Sequence, residues 1–172
     1  MAKKSRTSQL VVTAFLVALE VILTRFFSIN TPILRIGFGF IPVATMGALY
    51  GPLWAGLGYV AGDILGMLIF PSGIFFPGFT ATAFLTGLVW GIFLKDKEIT
   101  WKTVLPASLI IVLVLNLGLD TIWLSILYGD AFVALLPTRI IKCVVMVPLH
   151  LFLVPLVWNR VMIRIPINHN QK

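Results

Sequence analysis

Three residues have the side-chain types and the spacing of a small-molecule binding site: Asn116, Asp120 and Trp123. Their i, i+4, i+7 spacing puts all three on one face of a helix. That face offers an amide, a carboxylate and a flat aromatic ring. The same residues could instead form a hydrogen-bond cluster that fixes helix packing, or Asp120 could pair with a nearby arginine. We favour the ligand-binding interpretation for this face.

The composition places these polar residues in an integral membrane protein. Of the 172 residues, 59% are hydrophobic and 11% are charged, and the mean hydropathy is +1.05. A soluble domain of this size would struggle to shield so much apolar surface from water. The first apolar run continues from Gln9 to Phe27 and is long enough to span a bilayer, so we expect the N-terminus to be retained.

The apolar segments predict an all-α membrane fold with six transmembrane helices and both termini in the cytoplasm. The predicted spans lie near 8–27, 37–50, 53–70, 78–94, 104–127 and 138–160, and they form a single transmembrane substrate-binding domain over residues 1–172. Pro42 and Pro52 interrupt the pattern around the second span. We therefore expect that short helix to be tilted, re-entrant or covered by its neighbours.

The basic residues predict the orientation of the helices. If the first helix starts in the cytoplasm, nine of the 13 Lys and Arg residues face the cytoplasm, as the positive-inside rule requires. The net charge of +7 then faces anionic lipid headgroups and requires no nucleic acid.

Four cations lie against this rule, at the outer ends of the first, second and sixth helices: Arg25, Arg35, Arg139 and Lys142. Any one of them could reach lipid phosphates from a helix end. As a set, they are better explained by an anionic ligand that arrives from outside. Asp63, within the third span, is a further candidate contact, for which a packing role is equally open.

Residues 71–80, PSGIFFPGFT, have the Pro and Gly content of a loop but carry no charge. Phenylalanine and isoleucine stand where a solvent-exposed loop has polar residues. Something other than bulk water must therefore cover this segment.

Small residues predict close helix packing. One face of the third helix carries a row of small residues: Gly51, Ala55, Gly58, Gly62 and Gly66. The fourth helix repeats the spacing with Gly87 and Gly91. Ala14 and Ala18 have the same small-xxx-small form. Their spacing alone assigns them to packing within the chain.

The sequence lacks the marks of an enzyme or a metal site. The single cysteine, Cys143, has no second cysteine or histidine at ligand spacing. No catalytic constellation can be placed at one depth, and a lone histidine such as His150 is more often a packing residue. No G-x-x-x-x-G-K-[ST] motif occurs, so we expect no ATP binding by a P-loop.

Several segments of this chain, in order and covering nearly its whole length, resemble one known family. They are RFFSINTPILRIGFGFIPVATMGALYGP, AGDILG, PSGIFFPGFT, DTIWLSILYG and LPTRIIK. They resemble the folate-specific substrate-binding (S) component of energy-coupling factor (ECF) vitamin transporters. Asp120 is a departure, because Asn is expected there.

The resemblance implies a six-helix S component in the prokaryotic plasma membrane that needs no cofactor. Its outer half holds the vitamin under three loops, and PSGIFFPGFT is the middle one. Ala14-Phe-Leu-Val-Ala18 resembles the AxxxA motif by which S components dock on a transmembrane coupling subunit. A pair of ATPase subunits then supplies the energy.

Folate is chemically suited to the candidate residues. Its glutamate tail is dianionic at neutral pH and suits arginines, whereas its pterin edge can donate hydrogen bonds to Asp or Asn. We expect Arg25, Arg35 and Arg139 at the carboxylates, Asn116 and Asp120 at the pterin, and Phe75, Phe76 and Trp123 in ring stacking, with Asp63 as a further candidate.

Three other functions stay open. An S component for another anionic vitamin is the nearest competitor. A non-transporting scaffold or a channel explains the glycines but not the outer cations. A membrane enzyme acting on lipid would use the intramembrane acids and His150, without a recognisable catalytic arrangement.

We expect Arg35→Ala to weaken folate binding far more than it weakens binding of a pterin without the glutamate tail. A charge-assisted hydrogen bond to a carboxylate contributes about 1.5–3 kcal/mol, so only the ligand with the tail loses it. Titration of the purified variant with both ligands measures this. Equal losses would move Arg35 away from the tail, and no loss would leave it at lipid phosphates.

Overall fold

The computed structural model describes residues 6–30, 35–71, 74–129 and 132–162. Its helices are α1 (Arg6–Arg25), α2 (Phe40–Tyr50), α3 (Pro52–Ile69), α4 (Pro77–Leu94), α5 (Trp101–Leu109), α6 (Asp120–Tyr128) and α7 (Phe132–Val157). A π-helical stretch, Ile110–Leu119, joins α5 to α6 without a break, and we call the continuous unit Trp101–Tyr128 the α5–α6 rod. A second π-helical stretch, Trp158–Met162, follows α7.

With the rod counted once and the second π-helical stretch counted with α7, the described part of the chain contains six helical segments. Five of them are long and apolar enough to cross a membrane. The predicted all-α membrane fold is therefore confirmed.

The short helix α2 lies inside the bundle. Its 11 residues extend only about 16 Å, too little to cross a hydrocarbon layer of about 30 Å. Phe40 and residues 42–47 are buried, and α2 packs against α1, α3 and α4. The neighbouring helices therefore cover this short element from lipid.

A two-stranded hairpin connects α1 to α2, which the sequence analysis does not predict. Strands β1 (Ser28–Asn30) and β2 (Arg35–Gly37) pair antiparallel, with Ser28 opposite Gly37. A Cβ on Gly37 would lie 2.7 Å from Ser28 Cβ, so glycine permits the close pair. Because β2 runs through Gly37, α2 begins at Phe40 and not at residue 37 as the apolar pattern predicts.

The α5–α6 rod changes its hydrogen-bond pattern after Pro106. Proline lacks an N–H and its ring crowds the preceding turn, which disturbs the regular α-helical ladder. The wider pattern continues until the Asp120 N–H donates to Leu115 O. The π-helical stretch thus carries Asn116 and ends where Asp120 begins α6.

Glycines in α4 bring this helix into backbone contact with α3, as their spacing predicts. A Cβ on Gly87 would lie 2.5 Å from Ala55 O and 2.6 Å from Gly56 Cα. Gly91 meets the backbone of Pro52 in the same way. Any side chain at these positions would push the two helices apart.

We expect Gly87→Ala to lower the thermal stability of the protein in detergent. Overpacking of a tight contact costs about 1–3 kcal/mol, and here the contacted atoms are backbone and cannot rotate away. Gly118→Ala is the matched control, since the nearest atom to its added Cβ is Leu113 O at 3.8 Å. Equal melting temperatures for the two variants would contradict the close α3–α4 contact.

Candidate ligand-binding site

A cavity of about 90 Å³ lies at the centre of the helical bundle. Residues from α1, the hairpin, α2, α3, α4, the rod and α7 line it. Its aromatic wall consists of Phe40, Tyr59 and Trp90, and its polar wall includes Asn116, Lys142 and His150. Typical small-molecule sites occupy about 300–1,000 Å³, so a larger ligand must move some of these side chains.

Lys142 provides the cationic group of this cavity wall. Its side chain is 8% exposed, and Nζ donates a hydrogen bond to Asn116 Oδ1 at 3.2 Å. The sequence places Lys142 at the outer end of the sixth helix because the apolar pattern predicts a start at residue 138. In the structure α7 begins at Phe132, so Lys142 lies about three turns inside the helix.

Asp120 faces two buried cations. It interacts electrostatically with Lys142 and Arg139 and lies close to the Thr82 hydroxyl of α4. Arg139 is 4% exposed, and its Nε has no hydrogen-bond partner among the described residues. The carboxylate therefore offsets positive charge where the rod, α4 and α7 meet.

Trp123 completes the predicted face of the rod. Its Nε1–H donates to Thr82 Oγ1 at 3.2 Å, and its ring centroid lies 5.7 Å from that of Phe76. Asn116, Asp120 and Trp123 thus all make contacts with α4 or α7. Asn116 is the member of the three that lines the cavity.

The uncharged segment PSGIFFPGFT runs into the first turn of α4. It places one of its two predicted stacking residues against Trp123. Phe76 contacts Phe79 and Trp123. Gly78 leaves room for these rings, because a Cβ there would lie 2.6 Å from the ring of Phe76 and 2.6 Å from that of Trp123. Phe75 is 51% exposed and takes no part in these ring contacts. Ser72 and Gly73 lie outside the described residues.

Asp63 anchors the C-terminal half of α3 to the start of α4. Thr80 Oγ1 donates to Asp63 Oδ2 at 2.8 Å, which satisfies one carboxylate oxygen within the protein. Asp63 is not among the residues that line the cavity. Its geometry in this structure fits the packing role that the sequence leaves open.

The predicted arginines lie on different elements. Arg25 packs on α3, where a Cβ on Gly66 would lie 2.8 Å from its Nε, and Arg139 faces Asp120. Neither of them lines the cavity. Arg35 begins β2, and its side chain lies outside the described part of the structure.

Glu20 is a buried carboxylate close to the cavity. It is 2% exposed and accepts a hydrogen bond from Thr24 Oγ1 at 2.7 Å. Gly62 of α3 and Gly39 before α2 pack against its oxygens. Glu20 therefore holds α1 against two neighbouring elements and fixes Thr24 at the cavity wall.

His150 and Trp90 form a buried pair that the sequence analysis misses. His150 is 1% exposed, and its Nδ1 lies 2.9 Å from Ser108 Oγ. Its ring meets those of Phe40 and Trp90 edge-on, at centroid distances of 4.3 and 5.3 Å. The sequence interprets His150 as a packing residue, and no spacing pattern links it to Trp90, because only the fold brings α4 and α7 together.

Ala14 and Ala18 are exposed on the surface of α1. The buried face of that helix consists of Thr13, Leu16, Val17, Glu20 and Val21. The assignment of the two alanines to packing within the chain, made from spacing alone, is therefore wrong. Their small side chains leave a shallow strip beside the exposed Val11 and Phe15.

Comparisons with known proteins agree with this architecture. The family model of the ECF transporter substrate-specific component matches residues 8–158. "Folate transporter FolT" of Clostridium novyi (strain NT) is 46% identical over 156 residues, which is 91% of each chain. "Folate transporter FolT" of Leuconostoc mesenteroides subsp. mesenteroides is 34% identical over 153 residues, covering 86% of this chain and 82% of that one.

A solved structure is also similar over nearly the whole fold. It is described as "Crystal structure of FolT bound with folic acid" and has a TM-score of 0.83 and 38% sequence identity. The match includes 92% of this chain and 94% of that chain. The six helical segments, the cavity and the family match all point to one class of membrane protein. The chain belongs to the family of substrate-specific components of ECF transporters.

Proposed function

We propose that this chain is the membrane-embedded folate-binding subunit of an ATP-driven ECF vitamin importer. The observation that supports this most strongly is its similarity, over nine-tenths of its length, to a folate transporter and to a FolT structure that holds folic acid. The chain captures folate from outside the cell and delivers it through a coupling module.

The geometry is chemically suited to such a ligand. Folate joins a flat pterin to an aromatic linker and a dianionic glutamate tail, so its site needs apolar rings, hydrogen-bonding groups and cations. The cavity supplies Phe40, Tyr59 and Trp90 around polar side chains. Arg25 ends α1 near the hairpin, where a carboxylate arriving from outside can reach it.

Partner subunits complete the importer. Ala14 and Ala18 form the part of α1 that we assign to the coupling subunit, because they are exposed and small enough for another helix to approach closely. The chain has no P-loop sequence, so the two ATPase subunits of the module hydrolyse the ATP.

We expect the purified chain to bind folate with saturation and without any partner subunit. All proposed contacts belong to its own helices and loops, and Trp90 lines the cavity, where its fluorescence can report a bound ring system. Calorimetry or tryptophan quenching measures the binding, with biotin as a control for a different anionic vitamin. Well-folded protein that gives no saturable folate signal would contradict the assignment of folate as the substrate. Saturable binding of biotin in place of folate would favour an S component for another vitamin.

We expect Ala14→Leu and Ala18→Leu to block assembly with the coupling module while folate binding and melting temperature stay near wild type. Extra bulk at a close helix contact costs about 1–3 kcal/mol, but in the isolated chain these side chains face outward. Pull-down with the coupling subunit and ATP-dependent folate uptake measure the loss.

Ala81→Leu is the matched control, because Ala81 is exposed on α4, away from the AxxxA strip. It should assemble and transport normally. Normal pull-down of the α1 variants, or a fall in melting temperature without a loss of assembly, would contradict the assignment of this face to the coupling subunit.

A further inference from the structure

Thr82 of α4 lies where the uncharged segment PSGIFFPGFT meets the buried charges. The residue is 5% exposed, and its hydroxyl donates to Gly78 O at 3.1 Å and accepts from Trp123 Nε1–H at 3.2 Å. The Asp120 carboxylate lies close to the same hydroxyl. One oxygen atom thus joins the segment, through Gly78, to two residues of the α5–α6 rod.

The Thr82 hydroxyl has one proton for two possible acceptors. A hydroxyl donates one hydrogen bond and accepts up to two. Since Trp123 Nε1–H supplies an accepted bond, Gly78 O and the Asp120 carboxylate compete for the single proton. In this structure the proton is directed at Gly78 O. A hydrogen bond to an ionised carboxylate is the stronger kind, so the bond to Asp120 takes over when Gly78 O moves away.

Phe76 packs against both hydrogen-bond partners of this hydroxyl. Its ring centroid lies 5.7 Å from that of Trp123, and a Cβ on Gly78 would lie 2.6 Å from each of the two rings. Gly78 is the second residue of α4, and the first turn of a helix has N–H groups without intrahelical partners. A displacement of Phe76 therefore moves Gly78 O and the Trp123 indole relative to Thr82.

Asp120 connects this hydroxyl to the cavity wall. Its carboxylate faces Arg139 and Lys142 of α7, and Asp63 of α3 adds a like charge. Lys142 also donates to Asn116 Oδ1 at 3.2 Å, and both of these residues line the cavity. A further hydrogen bond to the Asp120 carboxylate would offset part of its charge and weaken its attraction for Lys142.

We propose that Thr82 is a positioning residue that couples residues 76–79 to Lys142 on the cavity wall. While residues 76–79 pack on the rod, the hydroxyl donates to Gly78 O and Asp120 acts fully on Lys142. When they move away, the hydroxyl donates to Asp120, and the Lys142 ammonium is freer to attract an anionic ligand. The inference rests on the proposed function.

A double-mutant cycle on purified protein tests the coupling through folate affinity. Phe76→Leu reduces the ring contact with the rod, and Lys142→Met removes the charge at similar length. In otherwise wild-type protein, their combined effect should differ about threefold or more from the product of the two single effects. In a Thr82→Val background, which loses the hydroxyl but keeps the branched shape, the two effects should multiply. Coupling that persists in that background, or that is absent without it, overturns the proposal.

Two further backgrounds separate positioning from packing. Thr82→Ser keeps the hydroxyl and should keep the coupling. Thr45→Val is the matched control, because Thr45 is also 5% exposed and donates to Ile41 O at 2.9 Å, four residues back along its helix. Thr45 is not among the residues that line the cavity, so its substitution should leave the coupling intact. Loss of coupling in either background contradicts the role of the Thr82 hydroxyl.

The Lys142 ammonium reports the same coupling without a ligand. In protein labelled with ¹⁵N-lysine, the Nζ resonance of Lys142 is assigned through Lys142→Arg. Phe76→Leu should shift this resonance, and it should not do so in the Thr82→Val background. A shift of equal size in both backgrounds overturns the proposal. An unmoved resonance in the Phe76→Leu protein overturns it as well, whether or not the Lys142→Met and Thr82→Val variants fold.

Failure of the inference differs from failure of the proposed function. Wild-type protein that does not bind folate contradicts the function, whereas the ammonium resonance still tests the coupling. Wild-type protein that binds folate, with effects of Phe76→Leu and Lys142→Met that simply multiply, contradicts the inference alone.

Discussion

Polar side chains between the helices of a membrane protein must find their partners inside the protein, because hydrocarbon offers none. In this chain that constraint fixes α7 against the α5–α6 rod. Lys142 meets Asn116, Cys143 Sγ contacts Val112 O at 3.5 Å, and His150 meets Ser108. These pairs follow one another along both helices and set their register. The same register puts Lys142 and His150 on the wall of the central cavity.

The first turns of α4 connect the surroundings of that cavity to the uncharged segment PSGIFFPGFT. Thr82 contacts both Trp123 and Asp120, and Trp123 in turn packs on Phe76 of the uncharged segment. Thr80 holds the same part of α4 on α3 through Asp63. A displacement of the segment around Phe76 therefore changes the surroundings of Asp120, which faces the buried cations. This arrangement gives the apolar loop a physical reason to lack charge: the rings of Phe76 and Phe79 pack on each other, and Phe76 packs on Trp123 of the α5–α6 rod.

The sequence predicts the parts of this site that depend on one helix. Helical periodicity places Asn116, Asp120 and Trp123 on one face, and apolar length identifies the helices that can cross a membrane. It cannot give the depth of Lys142, because that depends on α7 beginning at Phe132, before the apolar run that marks the span. The hairpin is missed because its three-residue strands are too short for an alternating pattern. Trp90 and His150 meet only through tertiary packing, so no local signal could pair them.

The central claim is that folate binds in the cavity between the helices, which Phe40, Tyr59 and Trp90 line. An experimental structure of this chain with folate bound tests it most directly. The account predicts the ligand in contact with these three rings. A complex with folate bound outside this cavity would contradict it.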